Sequence, residues 1–96
     1  MAFSHHVRRD PCRRCGSRRR LTAHHVVPLR VLRSLGASLG VQFDVRNGMS
    51  LCRGCHAAHE AGGARLKPEV LSAENVGFAD ELGLRGVLTA EYEAAG

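Results

Sequence analysis

The sequence predicts a small α+β domain: two short strands and a helix held together by a four-cysteine metal site, followed by a helical C-terminal tail. Three observations lead there. Ninety-six residues suit one domain whose apolar core alone would be marginal, so a disulfide or a structural metal is expected to make up the shortfall. The four cysteines form two Cys-x-x-Cys pairs, Cys12/Cys15 and Cys52/Cys55. Short β-branched runs lie near the pairs, and apolar residues at helical spacing lie between and after them. With Phe3, Phe43, Phe78 and Tyr92 as the only aromatic residues besides histidine, a large aromatic core is excluded.

Taken in order, residues 1–11 read as a basic, weakly ordered arm ending at Pro11. Cys12-Arg-Arg-Cys15-Gly16 is a tight metal-binding knuckle, and Arg18, Arg19 and Arg20 follow as an exposed basic run. The run from Leu21 to Val27 is rich in β-branched residues and stops at Pro28, the pattern of a short strand. Leu29, Leu32 and Leu35 fall at helical spacing within 29–39, predicting a helix ended by Gly36. Residues 40–47 read as a connection, and 48–51 as a second strand leading into Cys52. Residues 55–61 favour a helix that Gly62-Gly63 stops. In the tail, Ser72 is a plausible N-cap with Glu74 in the first turn, and Phe78, Ala79 and Leu82 form an apolar face ended by Gly83. Val87 to Tyr92 fits either helix or strand. The division expected is an arm at 1–11, a central domain at 12–66 and a helical extension at 67–96.

Charge is unevenly spread. Residues 1–60 hold eleven Arg against Asp10, Asp44 and Glu60, while residues 61–96 hold three basic residues against six carboxylates. An Arg-rich half attracts polyanions and steers them from a distance. The first ten residues contain no apolar run of signal-peptide length and no segment approaches a membrane span, so a cytoplasmic location without membrane contact is the expectation. In that compartment Cys-x-x-Cys pairs act as metal ligands or redox pairs.

The thioredoxin-like redox alternative needs a βαβ context that this pattern lacks. Two knuckles supplying two sulfurs each suit a closed tetrahedral Zn2+ site made by Cys12, Cys15, Cys52 and Cys55. The 36 residues between Cys15 and Cys52 exceed the usual zinc-ribbon spacing of roughly 15–20, and the insert carries His24, His25 and Asn47. Histidines occur as three pairs, His5/His6, His24/His25 and His56/His59. The first lies in the arm, where solvation is the expectation. Neighbours on a strand point to opposite faces, so His24 and His25 should do different jobs. His56 follows a zinc cysteine directly, and His59 shares its helix face. Two imidazoles converging from separate elements suit a divalent ion with open positions.

The order Cys12-x-x-Cys15, then Ala23-His24-His25-Val26-Val27-Pro28-Leu29, then Asn47-x-x-x-Leu51-Cys52-x-x-Cys55-His56 resembles the HNH endonuclease family in its zinc-knuckle form. The resemblance implies a ββα-metal (His-Me finger) fold with a catalytic metal between hairpin and helix. It places the general base on His25, metal ligands on His24 and His56, and the family asparagine on Asn47, bracing the hairpin. A third protein ligand would be His59 or Glu60. It further implies a metal-dependent DNA endonuclease giving 5′-phosphate and 3′-OH ends, with Mg2+, Mn2+, Ni2+ or Zn2+ as the catalytic ion; imidazole ligands lean away from Mg2+.

Arg13, Arg14, Arg18, Arg19, Arg20, Arg30 and Arg33 would then grip phosphates without reading bases, so weak sequence preference is expected. The phage packaging machinery is a further candidate partner, the setting a bacterial or phage-infected cell, and the chain a monomer or weak homodimer. Two other readings remain at this point. One is a non-catalytic zinc-ribbon nucleic-acid-binding module, and the other a zinc adaptor that docks through its acidic tail.

Overall fold

A two-stranded antiparallel hairpin sits at the centre of the computed structural model, which describes residues 2–62 and 65–92. Strand β1, Leu21–His25, pairs with β2, Gly48–Cys52, in the register Leu21↔Cys52, Ala23↔Ser50 and His25↔Gly48. Around it lie helices α1 (Ala2–Val7), α2 (Leu29–Ser34), α3 (Leu39–Gln42), α4 (Arg53–Glu60), α5 (Ala73–Glu81) and α6 (Arg85–Glu91). Two 3-10 turns, Val45–Asn47 and Pro68–Val70, join them. The α+β hairpin-and-helix expectation holds.

Because alternate residues of a strand face opposite ways, the hairpin is covered twice. One face presents Thr22 and His24 to α4. The other presents His25 to α1, where Phe3 stacks on its ring with centroids 4.5 Å apart. This is the first departure from the sequence reading. Residues 2–7 of the expected arm are helical, with Phe3 and Val7 buried. The two side chains are one helical turn apart and cover apolar surface that a solvated arm would leave exposed. His5 and His6 are exposed, as expected. Helix α1 comes so close to β2 that a Cβ on Gly48 would collide with the Val7 side chain. Only glycine leaves that room.

Strand β1 ends at His25 rather than Val27, yet its backbone stays tied. The Val26 N–H donates to the Asn47 carbonyl at 2.9 Å. The Asn47 side chain then extends the ladder, its Oδ1 accepting from Val27 N at 2.7 Å and its Nδ2 donating to Val27 O at 3.0 Å. An amide side chain thus takes the place of a further strand residue, and it is fully buried. Proline at 28 then turns the chain into α2.

The helix expected within 29–39 ends at Gly36, as read. Gly36 adopts φ +70°, and its N–H and that of Ala37 close on Arg33 O and Leu32 O, a C-terminal wrap that ends α2. Leu35 therefore leaves the apolar stripe and is 60% exposed, while Leu32 is buried. Ser38 caps a new short helix, α3, inside the expected connection. Helix α4 begins at Arg53, two residues before the expected start.

The tail is helical as predicted. Ser72 caps α5 through a reciprocal box with Asn75, two otherwise orphaned donors being satisfied at once. The segment from Val87 resolves as helix α6, with Tyr92 just beyond it. Phe78, Ala79, Leu88 and Tyr92 join Val26, Val27, Met49 and Leu51 in one buried cluster. Burial of such side chains stabilises by roughly 1.5–3 kcal/mol each, so the tail shares the core of the hairpin rather than trailing from it. The last four residues of the expected extension, 93–96, lie outside the described residues, as do 63–64 within the break expected at Gly62-Gly63.

Candidate active site and metal centres

The knuckles meet at one end of the hairpin. Gly16, at φ +78°, lets the first turn close, its N–H donating to Cys12 O at 2.9 Å. The Arg13 N–H donates to Ser50 O at 2.8 Å, pinning that turn to β2. Cys52 ends β2 and caps α4, its Sγ accepting from Cys55 N at 3.5 Å. The four sulfurs lie within 4.8 Å of one another, with Cys15 and Cys52 3.7 Å apart. A tetrahedron with Zn–S arms of 2.3 Å has edges of roughly 3.8 Å, so the thiol cluster has the dimensions of a zinc site. Burial opposes the Cys12 thiolate, but backbone hydrogen bonds from Cys52, Cys15 and Arg14 bring its pKa down to about 6. Burial and the neighbouring sulfurs push Cys55 up to about 12. The Cys12 thiolate is thus favoured over that of Cys55.

A second cluster forms between the hairpin and α4. His24 and His56 face each other with ring centroids 5.0 Å apart. The Glu60 Oε1 lies 3.6 Å from His24 Nδ1 and 3.4 Å from His56 Nε2. One ligand atom from each of the three fits within 4.8 Å. Thr22 Oγ1 is 2.8 Å from both Leu51 O and His56 Nδ1. A hydroxyl has one proton, and a carbonyl only accepts, so Thr22 donates to Leu51 and accepts from His56 Nδ1–H. That leaves a lone pair on Nε2, the nitrogen turned to Glu60.

His24 is buried, and its Nδ1 has no hydrogen-bond partner. Burial, with the neighbouring His56, His59 and His25, lowers its pKa to about 3, so the ring is neutral. A buried lone pair without a donor is costly; here it points at the Glu60 carboxylate. An imidazole nitrogen from β1, with an imidazole nitrogen and a carboxylate from α4, forms a donor set that fits a divalent ion.

His59, the other sequence candidate, is placed differently. Its Nδ1 accepts from the Leu66 N–H at 3.0 Å, and its ring stacks on Tyr92 at 5.0 Å. Burial lowers its pKa. His25 stands next to the cluster, held between Phe3 and Phe43, whose ring is 5.8 Å away and edge-on. It lines a cavity of about 230 Å³ together with Arg30, His56 and Glu60. Burial lowers the pKa of His25, with Arg33 and His56 acting in the same direction and the Gln42 backbone against it.

The family model of the HNH endonuclease matches residues 12–62, more than half of the chain. The chain belongs to the HNH endonuclease family. No curated protein and no solved structure matches it significantly. HNH proteins are in general hydrolytic nucleases that use divalent metals, so a nucleic-acid-directed activity follows for this chain. The matched span contains both knuckles, the hairpin and α4, and stops before α5 and α6.

All seven arginines singled out in the sequence are exposed. Arg19 and Arg20 line a groove of about 530 Å³ with Arg53, beside Cys52 at the start of α4. Arg30 borders the His25 cavity and pairs with Glu91 at 3.2 Å. Arg13 donates to Val70 O at 2.7 Å, and Arg33 to Gln42 Oε1 at 3.2 Å. Sequence reasoning missed Thr22, Phe3, Phe43, Arg53 and Tyr92. Only Phe3 left a signal, its i+4 spacing to Val7. The others act through contacts distant in sequence. No helix among the described residues is long and apolar enough to cross a membrane.

Proposed function

We propose that this HNH protein is a metal-dependent DNA endonuclease that hydrolyses phosphodiester bonds to 5′-phosphate and 3′-OH ends with weak sequence preference. The observation that supports it is the convergence of His24 Nδ1, His56 Nε2 and Glu60 beside a cavity whose wall includes the neutral ring of His25. His24, His56 and Glu60 are the ligands of the catalytic ion in this reading, Glu60 rather than His59 because His59 Nδ1 is taken by Leu66. A divalent ion bound there supplies Lewis-acid stabilisation of charge on the phosphate and the leaving oxygen. Cys12, Cys15, Cys52 and Cys55 hold structural Zn2+.

His25 takes the proton from the attacking water. Its lowered pKa keeps the ring in the accepting form at neutral pH. Phe3 and Phe43 fix the plane of the ring, and a fixed plane removes much of the orientational cost of proton transfer. Asn47 acts on His25 indirectly, by locking the strand end that follows it. Arg30 faces the cavity and holds a phosphate oxygen, while Arg19, Arg20 and Arg53 hold the backbone of a longer duplex along their groove.

His25→Ala tests the reading. The variant is expected to fold and bind metal like the parent while nicking of supercoiled plasmid falls by about 10²–10⁴-fold, the usual weight of a general base. Undiminished nicking removes His25 from the mechanism. A parent protein that binds plasmid but never nicks it in Mg2+, Mn2+, Ni2+ or Zn2+ is a zinc-stapled binding module instead.

A further inference from the structure

The geometry points to Tyr92, from the end of the C-terminal helix, as a positioning residue for the metal ligand His24, a role resting on the metal-site reading above. The Tyr92 hydroxyl lies 2.6 Å from His24 Nε2 and 2.9 Å from Val26 O. It has one proton. The Val26 carbonyl can only accept, so that proton goes to Val26, and the hydroxyl must accept from His24 Nε2–H. The ring is thereby fixed as the Nε2–H tautomer, with its lone pair on Nδ1. This is the buried nitrogen without a partner that faces Glu60.

Tyr92 also sets the ring's angle. Its side chain is fully buried and stacks on His59 with an interplanar angle of 20°, while it meets His24 at 71°. The hydroxyl is therefore delivered by a ring that cannot swing away. Burial raises the pKa of the phenol, with Glu91 and Glu60 adding to the effect, so it remains a neutral hydroxyl able both to donate and to accept. Thr22 does for His56 what Tyr92 does for His24: each accepts the proton of the ring nitrogen turned away from Glu60 and passes its own to a backbone carbonyl, of Leu51 in β2 or of Val26 just beyond β1. Thr22 belongs to the matched span of the family and Tyr92 lies 30 residues beyond its end. The tail thus completes a centre that the matched span leaves without one of its supports.

Two measurements test this on the full chain. In the metal-free catalytic site of the zinc-loaded protein, the ¹⁵N shifts of His24 are expected to show Nε2 protonated and Nδ1 bare; an Nδ1–H tautomer overturns the assignment. Tyr92→Phe keeps the ring and its stack on His59 but removes the hydroxyl. It is expected to weaken Ni2+ binding by about 10–100-fold in calorimetric titration, to lower kcat for plasmid nicking and to leave the KM for DNA and the zinc content unchanged. A folded Tyr92→Phe protein that binds Ni2+ as tightly as the parent overturns the assignment. A parent that binds Ni2+ without nicking refutes the nuclease reading alone, and the Tyr92 assignment still stands or falls on the Ni2+ affinities. Should the variant fail to fold, the tautomer in the parent decides.

Discussion

The two ligand clusters are built on the same hairpin and the same helix, yet they differ in kind. The thiol cluster is compact: four sulfurs from two turns lie within 4.8 Å of one another, and Cys52 also caps α4. The imidazole–carboxylate cluster has three donors, one of them on the exposed side chain of Glu60, and it opens onto a cavity. The first satisfies its ligands among themselves. The second leaves a bare nitrogen and depends on hydroxyls behind the rings to keep it so. A closed set of ligands holds a fold together, whereas an open set leaves room for a substrate.

Removing a ligand from each cluster should therefore fail differently. Cys52→Ser, or chelation of the zinc, is expected to abolish cooperative thermal unfolding followed by far-UV circular dichroism. Structural zinc contributes on the order of 10 kcal/mol to such folds, comparable to the whole stability of a domain of this size, about 5–15 kcal/mol. An unchanged melt would reverse the comparison. Glu60→Gln, by contrast, is expected to leave the melt within a few degrees and to weaken divalent-ion binding by about tenfold or more, because its side chain is 58% exposed. His59→Ala is the counterpart, costing stability by about 1–3 kcal/mol while Ni2+ affinity holds. If the two variants exchanged these phenotypes, His59 would be the ligand.

Asn47→Ala sharpens the contrast between hairpin and cavity. It strips both bonds from Val27, a buried donor and a buried acceptor, and a loss of about 1–3 kcal/mol is expected in denaturant titration. Nicking should fall further than the population of folded protein accounts for, since the strand end that sets His25 is loosened. The smallest effect is that of pH. His25 has its pKa below the ordinary imidazole value of 6.5, so its basic form persists as pH drops through 6.5. Single-turnover nicking is expected to stay level from pH 8 to 6.5 and to decline only below that. An acid limb centred above 6.5 would mean a base whose pKa is raised, which contradicts the burial of this ring.

The contrast also explains how far the sequence could be read. Chemistry that sits in local spacing was legible: two Cys-x-x-Cys turns, a His24-His25 pair on a strand, and His56 one residue after a ligand cysteine. Backbone punctuation was half legible. Gly36 marked the end of α2, and Ser72 and Gly83 the ends of α5, but the short helix that Ser38 caps went unread. What stayed hidden was everything contributed by segments remote in sequence. Nothing near Tyr92 announces a partner 68 residues away, and the basic character of residues 1–11 concealed the apolar face of α1. The proposal of Glu60 rather than His59 as a ligand likewise rests on Leu66 and Tyr92, the first bonded to the His59 ring and the second stacked on it.

His24 and His25 are neighbours in the chain, yet one is held by a ring near the amino end and the other by a ring near the carboxyl end: Phe3 on His25 and Tyr92 on His24. During synthesis, therefore, the hairpin, α4 and the thiol cluster can assemble while the chain is still emerging, but the pair of histidines is not fully dressed until residue 92 has left the ribosome. Long-range closures of this kind are the slow ones in folding. A truncation that removed Phe3 or Tyr92 would reach the two imidazole rings as directly as a substitution beside them.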